Sequence, residues 1–352
     1  MSDPLPKRQK TSPALIGTHN GHFHADEALA VWFLRQLPAY NGSTLVRTRD
    51  PAILDTCHTV IDVGGEYSYE KNRYDHHQRG FEETFDANHK TKLSAAGLVY
   101  KHLGKDIIAA HIGRSIDSQD VELLYPKLYD DLIEAFDAND NGISQYDDKA
   151  ILEHGIEKRF EAAGFTVASY VGSLNHSLPR EADDDSPEIK QQKEDLRFER
   201  ASTFVGELFA MKLEDKFSAW LPARAKVLEA FNDRFKHDTS GKIMVLNEGL
   251  PWADHLYKFE ASNSTPEDQK VLYVLFPENS EANSKWRIRS VSIQGTGFTN
   301  RRDLPDAWKG LRDEELDQVS GVPGGVFIHA SGFIGGNKTF NGALAMAKKA
   351  IV

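Results

Sequence analysis

A single cysteine, Cys57, stands in a chain of 352 residues. No intramolecular disulfide can form, and a reducing compartment suits the chain. No apolar run approaches the ~18 residues that span a bilayer, so a soluble protein without membrane contact is expected. Positive charge is in deficit. There are 42 Lys and Arg against 53 Asp and Glu, a net charge of −11, which excludes a broadly basic coat for nucleic acid. It leaves room for an anionic substrate held at one metal-charged cleft. Apolar residues, at 40%, are plentiful enough for a packed core rather than disorder. The length fits two domains at roughly 100–200 residues each.

The first residues, "MSDPLPKRQKTSP", read as a disordered basic tail (1–13), with "PKRQK" of the type that serves as a nuclear-import signal and too few apolar residues for a secretory leader. From Pro13 strands and helices alternate. "ALIGT" reads as a strand, Asp26–Leu37 as a buried helix and "STLVRTR" as a second strand. "DPAILDTC" is a short helix with Asp50 as its cap and Pro51 at the first position, and "TVIDVGG" is a third strand. "SAAGLVYKHLG" and "DSQDVELLYPKLYDDLIEAFDAND" are helical. This alternation with short connections predicts an α/β domain with a doubly wound parallel sheet over residues 14–180. The charged stretch from "READDDSPEIK" onward becomes helical, giving a connector over 181–239. Strand-like runs "KIMVLN", "VLYVLF", "WRIRSVSI" and "GVFIHAS", then a final helix, predict a smaller α+β domain over 240–352.

In an open parallel sheet, ligands bind outside the carboxyl ends of the strands. That rule gathers His19, His24 and Asp26 after the first strand, Asp62 after the third, Asp75, His76 and His77 in "NRYDHHQRGF", and Asp137 and Asp140 in "FDANDNGIS". Taken singly, each has a plain reading. Asp62 suits a turn, His22 suits solvent, and Glu27 suits the first turn of its helix. His58, His89, His102 and His111 carry no pattern. Together, imidazoles and carboxylates are donors for a borderline-hard divalent ion, Mn²⁺ or Mg²⁺, and not for a cysteine-based structural zinc site. The number of donors accommodates two ions about 3.5–4 Å apart, with Asp62 as the natural bridge.

"YDHHQ" with the preceding "VIDVGG" resembles the DHH phosphoesterase superfamily. More narrowly, "IGTHNGHFHADEALA", "VIDVGGEYSYEKNRYDHHQRGF", "DANDNGISQY", "AWLPARAKV" and "VFIHASGFIGGNKTFNGALAMA" resemble the melanocyte-proliferating-gene exonuclease family, over nearly the whole chain. The resemblance implies a DHH-type catalytic domain, a C-terminal substrate-binding domain and a Mn²⁺- or Mg²⁺-dependent 3′–5′ exoribonuclease of nucleus or mitochondrion, acting on single-stranded 3′ ends. It implies metal ligands His19, His24, Asp26, Asp62, His76 and Asp140, with Asp137 as the alternative to Asp140. His24 stands where the superfamily has aspartate, one residue further from His19 than usual. His77 would face the phosphate, with Asp62 and Asp75 completing the catalytic set.

The glycine-rich "HASGFIGGNKT" of the second domain reads as a loop whose N–H groups cradle a phosphate. It offers His329, Ser331, Gly332, Gly335, Gly336, Asn337 and Lys338 to substrate. Arg287 and Arg289 share a strand face and add charge. Two other readings stay open: hydrolysis of a small phosphoester or pyrophosphate, and a catalytically silent RNA-binding module. Oligomeric state is not legible.

Overall fold

The computed structural model describes residues 13–160, 162 and 164–351; the "PKRQK" cluster lies outside them. The chain divides into two compact units between Asp215 and Lys216. The stretch read as a connector is therefore shared between them.

The first unit opens with β1 (Leu15–Thr18), α1 (Ala25–Arg35), β2 (Thr44–Arg47), α2 (Pro51–Leu54) and β3 (Thr59–Ile61). A short hairpin, β4 (Tyr67–Ser68) and β5 (Arg73–Tyr74), follows. Then come helices α3 (Ala95–Ile112), α4 (Gln119–Leu128), α5 (Glu134–Asp140), α6 (Asp148–Glu153), α7 (Val167–Leu174) and the long α8 (Pro187–Asp215). The five strands lie in the order β2-β1-β3-β5-β4, all parallel except the edge strand β4. The expected parallel α/β core is present. β1 has almost no exposed position, as a strand covered on both faces should. Its Gly17 leaves room for Cys57: a Cβ there would stand 2.8 Å from the thiol sulfur. Asp50 caps α2 as its sequence predicts, accepting from Ala52 N at 2.9 Å.

The apolar face of α1 packs against α3 and α8. Phe33 meets Phe209 edge-on with ring centroids 4.8 Å apart. Gly206 of α8 lies so near Trp32 that a Cβ would sit 2.1 Å from the indole. The long helical pattern ending in "DAND" is broken. Pro126 lies inside α4, and a π-turn over Tyr129–Ile133 intervenes before α5.

The second unit comprises α9 (Leu221–His237), β6 (Ile243–Val245), α10 (Ala253–Ser262), β7 (Tyr273–Pro277), β8 (Trp286–Ser290), α11 (Asp313–Ser320), β9 (Gly325–Ile328), β10 (Ile334–Asn337) and α12 (Phe340–Ile351). Its sheet runs β6-β7-β8-β10-β9, with only the β6–β7 pair parallel. Side chains alternate between two cores. Ile243, Leu275 and Ile288 pack with Leu316 and Met346, while Met244 and Val274 pack with Val227 and Leu256.

Candidate metal centre

Because β1, β2, β3 and β5 are parallel, their carboxyl ends share one edge. The residues that follow them face a common cleft of about 530 Å³ lined by His19, His24, Arg49, Asp62, Asp75, His77 and Asp140, among others. His19 follows β1, Arg49 lies just beyond β2, Asp62 follows β3, and Asp75-His76-His77 follow β5. Sheet order reverses between β1 and β3, the switch point at which such sheets place their ligands.

Asp62 sits at the middle. One of its oxygens is 3.3 Å from His19 Nε2, and the other is 3.3 Å from His76 Nε2 and 3.6 Å from His77 Nδ1. Its backbone is left-handed, with φ +57°, a conformation aspartate tolerates better than most residues. His76 also reaches Asp140 at 2.9 Å, and His19 reaches Glu27 at 3.2 Å. Three groups of donor atoms each lie within 4.8 Å of one another: His19, His24, Glu27 and Asp62; Asp62, His76 and His77; His24, Asp26 and Asp140. Asp62 and His24 each belong to two groups, so the cluster is arranged for shared ligands.

The loop between β1 and α1 is held from both sides. Arg47 and Glu194 engage Gly21: the Gly21 N–H donates to Glu194 at 2.6 Å, and Arg47 donates to the Gly21 carbonyl at 2.9 Å. Asn175 engages Phe23, accepting from its N–H at 3.0 Å and donating to its carbonyl at 2.8 Å. His24 then caps α1, its N–H donating to Glu27 at 2.8 Å. His22 is exposed, its ring 5.5 Å from that of His24.

Asp26 Oδ1 and Glu27 Oε2 are buried without a hydrogen-bond donor, and Asp62 Oδ1 faces imidazole nitrogens at 3.3 and 3.6 Å without a well-formed hydrogen bond. Buried carboxylate oxygens without donors are costly, and a divalent cation is the partner that this hard-oxygen and imidazole set fits. Without a cation, protons take its place. Burial alone would lower the imidazole of His19, yet Asp62 and Glu27 raise it to about 10. His76 likewise rises to about 10 against its burial, through Asp140 and Asp62. Burial, reinforced by Asp62, Asp140 and Glu27, pushes Asp26 well up. Burial opposes ionisation of Asp62, but His19 and His76 bring it down to about 2.

Asp75 stands outside all three donor groups. Its carboxylate accepts from Gly65 N at 2.6 Å and from His77 N at 3.0 Å, and it lies 2.8 Å from His77 Nδ1. These contacts hold the Nδ1 side of the largely exposed His77 ring. The hydrogen bond with Asp75 is the main reason that the His77 imidazole rises. Asp137 is fully buried and engaged by Ser94 N and Oγ, Gly97 N and Tyr129 OH at 2.7–3.1 Å. It ties α5 to the start of α3, and Asp140 alone of that pair reaches the cluster.

Two members escaped the sequence reading. Glu27 looks like an ordinary first-turn acid, and only its burial at 0% exposure marks it. Arg49 follows β2 in "VRTRD", where the strand-end rule applied to β2 would have found it.

In the second unit the glycine-rich cradle does not form. Gly335, Gly336 and Asn337 belong to β10, which lies between β8 and β9 with its backbone groups committed to the two ladders. Gly335 and Gly336 are there for clearance: a Cβ would stand 2.2 Å from Ile328 Cδ1 and 2.8 Å from Arg287 Nη1 respectively. Asn337 is fully buried, holding Pro323 O and the Thr339 N–H. Gly332 carries its carbonyl to Leu304 N at 2.9 Å. His329, Ser331 and Lys338 are exposed or partly so, with His329 Nδ1 2.8 Å from Ser331 Oγ. Arg287 is paired with Glu278, while Arg289 lies 4.3 Å over the ring of Phe333.

Fold and site together define a parallel-sheet α/β protein with a histidine–carboxylate centre suited to divalent cations. The family model MYG1_exonuc, described as an uncharacterised protein family (UPF0160), matches residues 15–351. The chain is 43% identical to the MYG1 exonuclease of Homo sapiens, covering 99% of this chain and 89% of that one. It is 42% identical to a MYG1 protein of Caenorhabditis elegans, covering 96% and 95%. The chain belongs to the MYG1 exonuclease family. Manganese-bound RecJ from Thermus thermophilus superposes loosely, with a TM-score of 0.25 at 15% identity over 96% of this chain and 51% of that one, too loosely to bear on fold or chemistry.

Proposed function

We propose that this protein is a metal-dependent phosphodiesterase, a 3′–5′ exoribonuclease that removes nucleotides from single-stranded RNA. The observation that carries the reading is Asp62, whose two carboxylate oxygens face separate imidazoles of one cleft. His19, His24, Asp26, Glu27, Asp62, His76 and Asp140 would hold two Mn²⁺ or Mg²⁺ ions. Such ions acidify a water and oppose the charge that builds on phosphoryl oxygens. The chain's own residues do the rest. Asp75 fixes the ring of His77 so that its outer nitrogen meets a phosphate oxygen. Arg49 offers a cation at the cleft wall. In the second unit, His329, Ser331, Lys338, Arg287 and Arg289 are the residues that bind RNA. Nuclease names among the relatives support an RNA or DNA substrate. An acidic surface with affinity concentrated at one cleft favours a chain end over a long duplex. The residence proposed is nucleus or mitochondrion, from the family resemblance and the basic N-terminal cluster. Among the described residues no helix is long and apolar enough to cross a membrane.

The test is cleavage of 5′-labelled single-stranded RNA with Mn²⁺, Mg²⁺ or EDTA, beside the Asp62→Ala protein. A metal-dependent ladder shortening from the 3′ end, absent in the variant, is expected. Intact RNA under every condition would overturn the proposal.

A further inference from the structure

Beside the metal cleft the first unit opens a second cavity of about 820 Å³, the size of a site for a small organic ligand. Asn139 lines both spaces, and Ala25, between His24 and Asp26, lines the second. The two are therefore neighbours along one wall. Leu132, Phe136, Ile143 and Val167 give the cavity apolar sides, Gln145 joins Asn139 in offering a side-chain amide, and the lining also includes Asp130 and Glu134, engaged by His89 and Thr91. Leu132 comes from the π-turn after α4, an irregularity that recurs at functional sites. Ile143 is 44% exposed, so an apolar face is available to a ligand beside a centre built for phosphate.

We infer that this cavity receives the nucleobase of the nucleotide whose phosphate lies at the metal centre, an inference that rests on the phosphodiesterase reading. A base is a flat group with apolar faces and a polar edge. Aliphatic walls cover its faces, and an amide carries both a donor and an acceptor for its edge. Because Asn139 and Gln145 can each present either, all four bases are accepted, as a trimming enzyme requires. Inorganic phosphate or pyrophosphate has no apolar surface and would leave these walls wet. The cavity thus separates a nucleotide substrate from the small inorganic alternatives.

The test compares the dinucleotide pApA with its abasic counterpart, the same sugar–phosphate diester with no base on either sugar, using the Mn²⁺-loaded full chain. Ala135 lines the cavity, is exposed and belongs to none of the donor groups. Ala135→Trp fills the space, and Gln145→Ala removes an edge partner. Ala135→Trp is expected to raise KM for pApA at least ten-fold and Gln145→Ala several-fold, with turnover of the base-free ester within two-fold of wild type. An unchanged KM for pApA in both variants overturns the inference. So does an equal loss on both substrates, which would assign these residues to the metal centre alone. If the wild type cleaves neither substrate, the phosphodiesterase reading fails, and equilibrium dialysis of labelled pApA then decides the cavity. Binding ten-fold weaker in Ala135→Trp supports it, and equal binding overturns it.

Discussion

At Asp62 three demands meet in one residue: a left-handed backbone where β3 stops, a buried carboxylate and contact with imidazoles on two sides. Alanine there carries a left-handed strain of about 1–2 kcal/mol and removes the group that two of the donor sets share. Asp62→Ala is expected to lose at least ~10³-fold in turnover with unchanged circular dichroism, an effect of the size seen when a charge-stabilising group is removed. Asp75 acts one step away, since it touches His77 and Gly65 and lies outside the donor groups. Asp75→Asn should lower kcat/KM about 10–100-fold, the usual range for a residue that orients a site imidazole. Mn²⁺ affinity by calorimetry should stay within a few-fold of wild type. A matching loss of affinity would make Asp75 a ligand instead.

Elements deliver these residues through close packing, and the glycines mark where it is tightest. A side chain at Gly206 would collide with Trp32 and separate α8 from α1. Gly206→Val should destabilise the protein by roughly 1–3 kcal/mol, the usual cost of overpacking, read from the midpoint of urea unfolding. Much of this layer was legible in the sequence. The short apolar runs in strand–helix alternation and the Asp50 cap located β1, β2, β3 and α2, and the strand-end rule collected most of the cluster. What stayed hidden depends on long-range contact. β10 is written "IGGN", a poor strand by propensity, and its glycines report the side chains of Ile328 and Arg287 crossing over them. Glu27 and Asp137 look interchangeable with surface acids until packing buries both completely. Asn175 and Glu194 stand 152 and 173 residues along the chain from the loop positions they hold. No local pattern announces such a contact.

Across the whole molecule, the cluster couples stability to pH and to cations. Free of metal, His19 and His76 titrate near 10, above the ordinary 6.5. Folding therefore favours their protonated forms. This contribution is fully present below about 6.5 and is lost as pH rises toward 10. In EDTA the melting temperature should fall across that window. Saturating Mn²⁺ needs the unprotonated imidazoles, so it should raise the melting temperature most at the alkaline end; at 100 times Kd the gain is about 2.7 kcal/mol. A melting temperature indifferent to Mn²⁺ throughout would mean that the cluster is no metal site. The central claim is that one carboxylate, Asp62, joins two cation positions. The most direct measurement is Mn²⁺ titration followed by electron paramagnetic resonance on the wild type and Asp62→Ala. Two exchange-coupled ions per chain in the wild type, with coupling absent in the variant, is the predicted result; isolated ions or free aqueous Mn²⁺ in the wild type would contradict it.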